Sequence, residues 1–538
     1  MNPQRLHSFT LLLVPLFLLA ALFAGCSSNV SQNSNSHSKT LTFSWSEDIG
    51  NLNPHTYLPN QFFTQAMVYE SLVAYGEGGK IEPWLAEKWE MSPDGKEYLF
   101  HLRKDIKFSD GSTFNAAVVK KNFDAVLGNA KEHEWLELIN QIKSTEVVDE
   151  FRFKMILKNS YYPALQELTL IRPLRFLGEA GFPDNGKTFE GIKKPIGTGP
   201  WVLSEYKRGE FATFTRNDLY WGTKPKINKI VVKVIPDGEA RVLAFENKEI
   251  DLIFGNGLIS QDSFKFLKDT GNYETHLSEP TSTRIVQLNS NRGATKDLKV
   301  RMAIQHAFNK QAVIDRVFYG LEKKSDTLFS TNFPYSDVHV KPYEYDVERA
   351  KQLLDEAGWK EVPGKEFREK DGKPLELQLL FISTHNIQKA VAEVIQGDLR
   401  KVGINVKLTG QEEEAHWKTA FQGEFELLFN ESWGAPYDPH SYVSAMSKAA
   451  EQGNTDYLIQ LGLPMKKDMD QKIGKVLLST DENVRRALYA DILTTLHEQA
   501  VYLPISYQSN MAVYHKNVSG VNFMPQPYEV PFTTIDVQ

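Results

Sequence analysis

Apolar and polar positions alternate at Thr40-Leu41-Thr42-Phe43-Ser44-Trp45, which predicts a strand. Phe62, Phe63, Ala66, Met67, Tyr69 and Val73 then recur at helical spacing, and that pattern assigns Phe62 and Met67 to a core. Residues 85–90 read as a short helix, followed by a turn at Asp94-Gly95-Lys96. Ala116, Val119, Phe123 and Val126 share one face of a helix that Asn115 can cap. Strands are predicted at 201–206, 229–235 and 251–254, with a helix over 241–246. Near residue 280 the pattern restarts with a strand at 284–289 and a helical stripe of Val300, Ala303, Ile304, Ala307 and Phe308. A charged amphipathic helix over 346–357 ends at Gly358. Residues 375–381, 387–401 and 404–408 then read as strand, helix and strand, a βαβ unit that points to a doubly wound α/β lobe. A strand at 425–430, a long helix at 482–499, and strands and turns over 511–538 complete the pattern.

One stretch follows neither period. Glu431-Ser432-Trp433-Gly434-Ala435-Pro436-Tyr437-Asp438-Pro439-His440-Ser441-Tyr442 packs an indole, two phenols, carboxylates and an imidazole behind the 425–430 strand. Its two prolines and its glycine forbid a regular helix through it. A strand that ends in a rigid aromatic loop suits a ligand, because aromatics supply contact area at little entropic cost. The same aromatics would serve equally well packed on a neighbour, and the loop alone decides neither.

The chain has 538 residues, more than one ordinary core holds, so two or more domains are expected. Residues 1–25 differ in kind. Arg5 is their one full charge, and residues 11–24 are apolar apart from the break at Pro15, a length that suits a signal peptide and falls short of a membrane span. The run ends Leu22-Phe23-Ala24-Gly25-Cys26, which resembles the bacterial lipobox, with Phe23 where a small aliphatic residue is usual. Cys26 is the sole cysteine, so no internal disulfide can form, and a free thiol outside the cell is a liability. Lipidation of Cys26 accounts for both facts and implies an extracytoplasmic protein anchored to the cell membrane. Residues 26–39 are small and polar, as a flexible tether should be. Without Arg5 the chain carries 60 basic against 68 acidic side chains, a net charge of −8, which argues against nucleic acid as a partner.

No nucleophile elbow, phosphate loop, dinucleotide fingerprint or His-Glu-x-x-His helix is present, so an enzyme is a poor reading and no catalytic cofactor is expected. None of the histidines forms a pair at tight chelating spacing; His55 and His440 fall in loops. Arg172 closes an apolar segment just before Pro173. There it can serve a helix C-terminus or offer a guanidinium fork to a carboxylate.

The order Ala86-Glu87-Lys88-Trp89, Asp94-Gly95-Lys96, Leu102-Arg103 and Lys107-Phe108-Ser109-Asp110-Gly111 resembles the signature of the extracellular solute-binding proteins that serve peptide and nickel ABC importers. The resemblance runs on through Gly197-Thr198-Gly199-Pro200-Trp201 and Asn217-Asp218-Leu219-Tyr220-Trp221-Gly222. It implies an α/β, two-lobed periplasmic-binding-protein fold (type II, cluster C) with discontinuous lobes and an inter-lobe cleft. Lobe I would hold residues 40–281 plus 505–538, and lobe II residues 282–504. The runs at 52–61, 135–142, 172–176 and 433–440 are most similar to the nickel-binding members, in which the metal arrives inside a small carboxylate-bearing chelator. By motif match, Arg172 would grip a chelator carboxylate, Tyr57, Trp135, Trp433 and Tyr437 would line the cavity, and His55 and His440 are the candidate metal ligands. Departures from those members are Glu132 in place of a second arginine, Phe62 in place of a Met, Leu58 in place of a Thr, and no histidine over 447–455. The implied cargo is a Ni(II) complex of histidine or of an opine-type metallophore. The implied partners are an ABC permease and ATPase, with the protein itself a monomer. Two other functions are weighed. Peptide-binding members commonly hold the peptide's amino terminus with an acid at the place where Ala435 stands, which counts against a di- or oligopeptide receptor; an extracellular hydrolase would turn over peptides or esters unaided.

Overall fold

The computed structural model describes residues 39–57, 61–449 and 453–538. The signal peptide, Cys26, the tether up to Ser38, and Leu58 lie outside the described residues.

Ten strands, numbered in chain order, make the path of one large mixed sheet. They are β1 Thr40–Trp45, β2 Trp201–Lys207, β3 Phe211–Arg216, β4 Lys229–Val234, β5 Leu252–Gly255, β6 Glu274–Leu288, β7 Glu376–Ile382, β8 Asn405–Gln411, β9 Leu427–Glu431 and β10 Tyr502–Tyr514. Their spatial order is β8-β7-β9-β6-β10-β5-β1-β4-β3-β2, and the short strand Lys323–Lys324 pairs with β10 off this path. The alternation in β1 does what it predicts: Leu41 and Phe43 are fully buried, and the strand lies parallel to β4 with Leu41 opposite Ile230. At the other end of the sheet β7 and β8 run parallel, Glu376 opposite Asn405, joined by the helix Asn386–Arg400. That is the βαβ unit expected from the periodicity.

The two ends of the sheet are tied together by its longest strands. β6 and β10 are antiparallel: Glu274–Leu277 of β6 faces Met511–Tyr514, and Arg284–Gln287 faces the start of β10, with register shifts between. The end of β10 also pairs with β5, whereas Arg284–Leu288 of β6 pairs with β9. Each strand therefore has one end in each half of the sheet. The expected lobe boundaries, after residues 281 and 504, fall within β6 and β10. Separate apolar cores lie on the two sides of the crossing: Phe43, Trp201, Val232 and Phe254 belong to one, Val286, Ile304, Leu377 and Ile395 to the other.

A second, four-stranded antiparallel sheet is formed by Ala86–Met91, Glu97–Leu102, Arg152–Leu157 and Ile142–Asp149. Here one expectation is corrected. Residues 85–90 are mostly strand, not helix, because Ala86–Met91 pairs with Tyr98–Leu102 across the Asp94-Gly95 turn. Helical propensity over so short a run yields to a hairpin partner. The helix Ala116–Leu127 packs against this sheet, and Asn115 caps it, its Oδ1 accepting from the amides of Ala117 and Val118 at 3.1 Å each. The core of this sheet, with Phe100, Phe123 and Phe153, is continuous with Tyr442, Met469 and Tyr489. The Gly197-Thr198-Gly199 turn presses backbone on backbone. A Cβ at Gly197 would lie 1.9 Å from the Val68 carbonyl oxygen, so only glycine lets this turn seat the end of the helix Phe62–Val68.

Candidate functional site

The aromatic loop after β9 is fixed from within. Asp438 is buried, and its carboxylate accepts from the amides of Gly434 at 2.8 Å and Trp433 at 3.2 Å. Burial pushes Asp438 up to about 7 while these bonds oppose the rise. Ser432 exchanges bonds with Thr283 of β6, amide to carbonyl at 2.9 Å and amide to hydroxyl at 3.0 Å. Gly434 has φ +76°, and a Cβ there would stand 2.5 Å from the Thr281 carbonyl oxygen. The loop is thus moulded onto a crossing strand. Behind it Tyr442 is fully buried, donates to Asp456 at 2.7 Å and backs Trp433 at 5.4 Å between ring centroids.

In front of it the five residues singled out by motif come together. Trp433 and Tyr437 are 6.3 Å apart, Tyr437 and Trp135 6.2 Å, Trp135 and Tyr57 5.7 Å, all between ring centroids. The Arg172 guanidinium lies 5.4 Å from the Tyr57 ring centre and 3.8 Å over Phe62, a cation–π stack, and donates to the Tyr57 carbonyl oxygen. Trp135 is 41 % exposed, Tyr57 and Trp433 are half-buried, and the expected departure residue Glu132 lies exposed beside them.

Two further residues complete this box and were not singled out as site residues in the sequence. Tyr528 stacks on Phe62 at 4.7 Å, and its hydroxyl donates to the Trp433 carbonyl oxygen at 3.3 Å. It is placed by its neighbours: Arg175 pairs with Glu529 at 3.0 Å, Gln526 donates to Thr169 at 3.0 Å, and Asn510 of β10 donates to the Pro527 carbonyl at 2.7 Å. No periodic pattern announces a residue positioned by four separate chain segments; only the dense polar and aromatic content of 522–529 hints at it. His133 is the second, with Nδ1 2.6 Å from the Tyr57 hydroxyl. Phe62, read as core from its helical spacing, instead faces Arg172.

The histidines expected as metal ligands do not fit that role. His55 is buried; Nε2 is 2.9 Å from Asn122 Oδ1 and Nδ1 is 2.8 Å from Thr188 Oγ1. The Asn122 amide nitrogen is spent on the Val118 and Leu177 carbonyls, so Oδ1 accepts from His55 Nε2–H, and Nδ1 accepts the Thr188 proton. No lone pair is left for a metal. His440 is 4 % exposed, and its Nε2 faces the equally buried Glu167 at 3.7 Å. Burial holds His440 down at about 3 and raises Glu167 to about 7. Among the described residues no group of three or more His, Cys, Asp or Glu is placed to hold a metal ion.

A cavity of about 890 Å³, within the range of small-molecule sites, opens where β9 ends, lined among others by Arg284, His385, Trp417, Asn430, Glu431 and Gln508. Residues 80–454 match the bacterial extracellular solute-binding proteins, family 5 Middle. The chain belongs to that family. This solute-binding protein is 45 % identical over 496 residues to the nickel-binding periplasmic protein of Escherichia coli (strain K12), covering 92 % of this chain and 94 % of the relative. It is 28 % identical over 516 residues to the dipeptide-binding protein of the same organism, covering 90 % and 92 %. Its fold matches the crystal structure of NikA from Brucella suis in complex with Fe(III)-EDTA, with a TM-score of 0.90 and 52 % identity, over 93 % of this chain and all of that one. The solute-binding protein is therefore two-lobed, and among its described residues no helix is long and apolar enough to cross a membrane.

Proposed function

We propose that this solute-binding protein captures a chelated transition metal, nickel in the first place, outside the cytoplasm and delivers it to the permease and ATPase of an ABC importer. One observation carries the reading: the box offers aromatic walls and the Arg172 guanidinium, with no cluster of metal-ligating side chains among the described residues. Such a surface recognises a chelator, not a bare ion, because nickel asks for several nitrogen or oxygen donors. The relative named for nickel and the neighbour holding Fe(III)-EDTA support the same reading. Tyr57, Trp135, Arg172, Trp433 and Tyr437 would contact the chelate, between a lobe of 40–281 plus 505–538 and a lobe of 282–504. A histidine complex and an opine-type metallophore both have the carboxylate that Arg172 would grip.

Titration calorimetry with Ni²⁺ alone and with Ni²⁺ plus L-histidine tests this. The chelate should bind at least ten times more tightly; equal affinity for the bare ion, or tight binding of metal-free dipeptides instead, would sink it. Lipidation of Cys26 belongs to the same proposal, since a diacylated cysteine supplies the membrane affinity the folded lobes lack. Cys26→Ala should release the protein from the membrane fraction; retention there would place the anchor elsewhere.

A further inference from the structure

Arg172 is the cation of the box, and side chains from far along the chain place its guanidinium. It lies 3.8 Å over the ring of Phe62, and Tyr528 stacks on that ring at 4.7 Å and 22°. An aromatic face holds the plane of a guanidinium and leaves its N–H edge to make hydrogen bonds. On that edge Nη1 donates to the Tyr57 carbonyl oxygen. At the other end of the stack the Tyr528 hydroxyl donates to the Trp433 carbonyl oxygen at 3.3 Å.

The stack has one common fastening. Arg175, three residues after Arg172, is buried. Its Nη1 donates to the Tyr69 carbonyl oxygen at 2.7 Å, and Tyr69 ends the helix that begins at Phe62. Its Nη2 pairs with Glu529, the neighbour of Tyr528, at 3.0 Å. Its Nε donates to the Leu170 carbonyl oxygen at 3.3 Å. A guanidinium buried in this way is held by its partners, because water does not replace a bond it loses. Arg175 thus ties together the three segments whose side chains stack.

We propose that Phe62 and Tyr528, set in place by Arg175 and Glu529, are positioning residues for Arg172, and that they make the site select metal chelates bearing a carboxylate over carboxylate-free complexes of the same metal. A guanidinium already held flat loses little side-chain freedom when a carboxylate arrives, whereas an arginine free to swing has to be ordered at that moment. Phe62 and Tyr528 act through Arg172, so their effect is confined to ligands that Arg172 grips. The inference rests on the chelate-binding reading above.

The test compares Ni(II)–L-histidine with Ni(II)–histamine, which share imidazole and amine donors and differ in the carboxylate. Calorimetry with both complexes is run on wild type, Phe62→Leu, Phe62→Tyr, Tyr528→Leu, Glu529→Ala, Arg172→Ala and the double variant Phe62→Leu/Arg172→Ala. Wild type should prefer the histidine complex by about tenfold or more. Phe62→Leu should weaken the histidine complex about fivefold, the worth of one cation–π contact, and leave the histamine complex within about twofold. Phe62→Tyr keeps the ring and should bind like wild type. Tyr528→Leu and Glu529→Ala should shift the ratio of the two affinities in the same direction as Phe62→Leu. On the Arg172→Ala background, Phe62→Leu should cost nothing further. Equal losses for both complexes, a further loss in the double variant, or an unchanged ratio in Phe62→Leu would each overturn the proposal. Where Phe62→Leu does not fold, Tyr528→Leu decides by the same ratio. A wild type that binds neither complex refutes the chelate reading itself; one that binds both equally leaves that reading standing and overturns the selection for a carboxylate.

Discussion

Arg172 shows how a residue's role depends on what surrounds it. In sequence it could cap a helix or grip a carboxylate; in the fold its guanidinium is stacked on Phe62 and edged by Tyr57. Stacking fixes the plane of the guanidinium, and with it the directions in which its N–H groups can meet a carboxylate. Arg172→Ala should weaken the nickel–histidine complex at least tenfold, about 1.4 kcal/mol or more, with little change in the melting temperature of the empty protein. Arg172→Lys should not recover the loss, because an ammonium neither stacks nor forks. Calorimetry of both variants checks this. His55 makes the opposite case. Burial lowers it from 6.5 to about 4, so its neutral form is the one the fold prefers. A depressed histidine stabilises fully above its unfolded value, and that stability is lost as pH falls from about 6.5 through about 4. His55→Gln should lower the midpoint at pH 7.5 yet flatten the fall in stability between pH 6.5 and 4, while nickel–histidine affinity stays within about twofold. Urea melts across that range, with calorimetry at neutral pH, would expose a ligand role for His55 if affinity fell instead. That Tyr57, Trp135, Trp433 and Tyr437 stand near one another was legible through the family resemblance of their motifs, which are long and local. Tyr528 and His133 were not, because each is defined by a partner far away along the chain.

Elements carry a different kind of information. Long periodic segments, such as the helices Asn386–Arg400 and Glu482–Glu498, stand within a residue or two of their sequence bounds, since fifteen or more residues of one period leave little choice. Ala86–Met91 was misread because six residues fit a helical face as well as a strand, and only the partner Tyr98–Leu102 decides. Caps are local and were readable: Asn115→Ala should cost about 1 kcal/mol, seen as a lower urea midpoint with unchanged slope. Gly434 should behave otherwise. Its positive φ and the Thr281 carbonyl 2.5 Å from the missing Cβ mean that Gly434→Ala must lift the aromatic loop from β6. Both stability and chelate affinity should fall, the latter by more than tenfold, since Trp433 and Tyr437 move with the loop. A variant that melts lower but binds like wild type would show that the loop does not hold the ligand.

At the scale of the molecule, the crossing of β6 and β10 governs what the box can do. Tyr57, Trp135, Arg172 and Tyr528 lie in the segments proposed above for the first lobe, while Trp433 and Tyr437 follow β9 in the proposed second. A chelate touching both sets stabilises the arrangement in which they meet, and only such differential contact can shift an open–closed equilibrium. The pairing of 511–514 with 252–255, which brings the end of the chain back beside an early strand, could not be read from periodicity, because it leaves no local trace. That return entered through family resemblance alone. The expected consequence is compaction. Small-angle scattering of the empty protein and of the protein saturated with nickel–histidine should show a smaller radius of gyration in the second. Arg172→Ala, at a concentration where calorimetry shows it half-saturated, should give an intermediate curve that is a population-weighted sum of the two end states, because packed cores switch between discrete arrangements and do not deform by degrees. If the saturated wild type scatters like the empty protein, the lobes do not close on the ligand, and the chelate is held by one lobe with the other fixed in place.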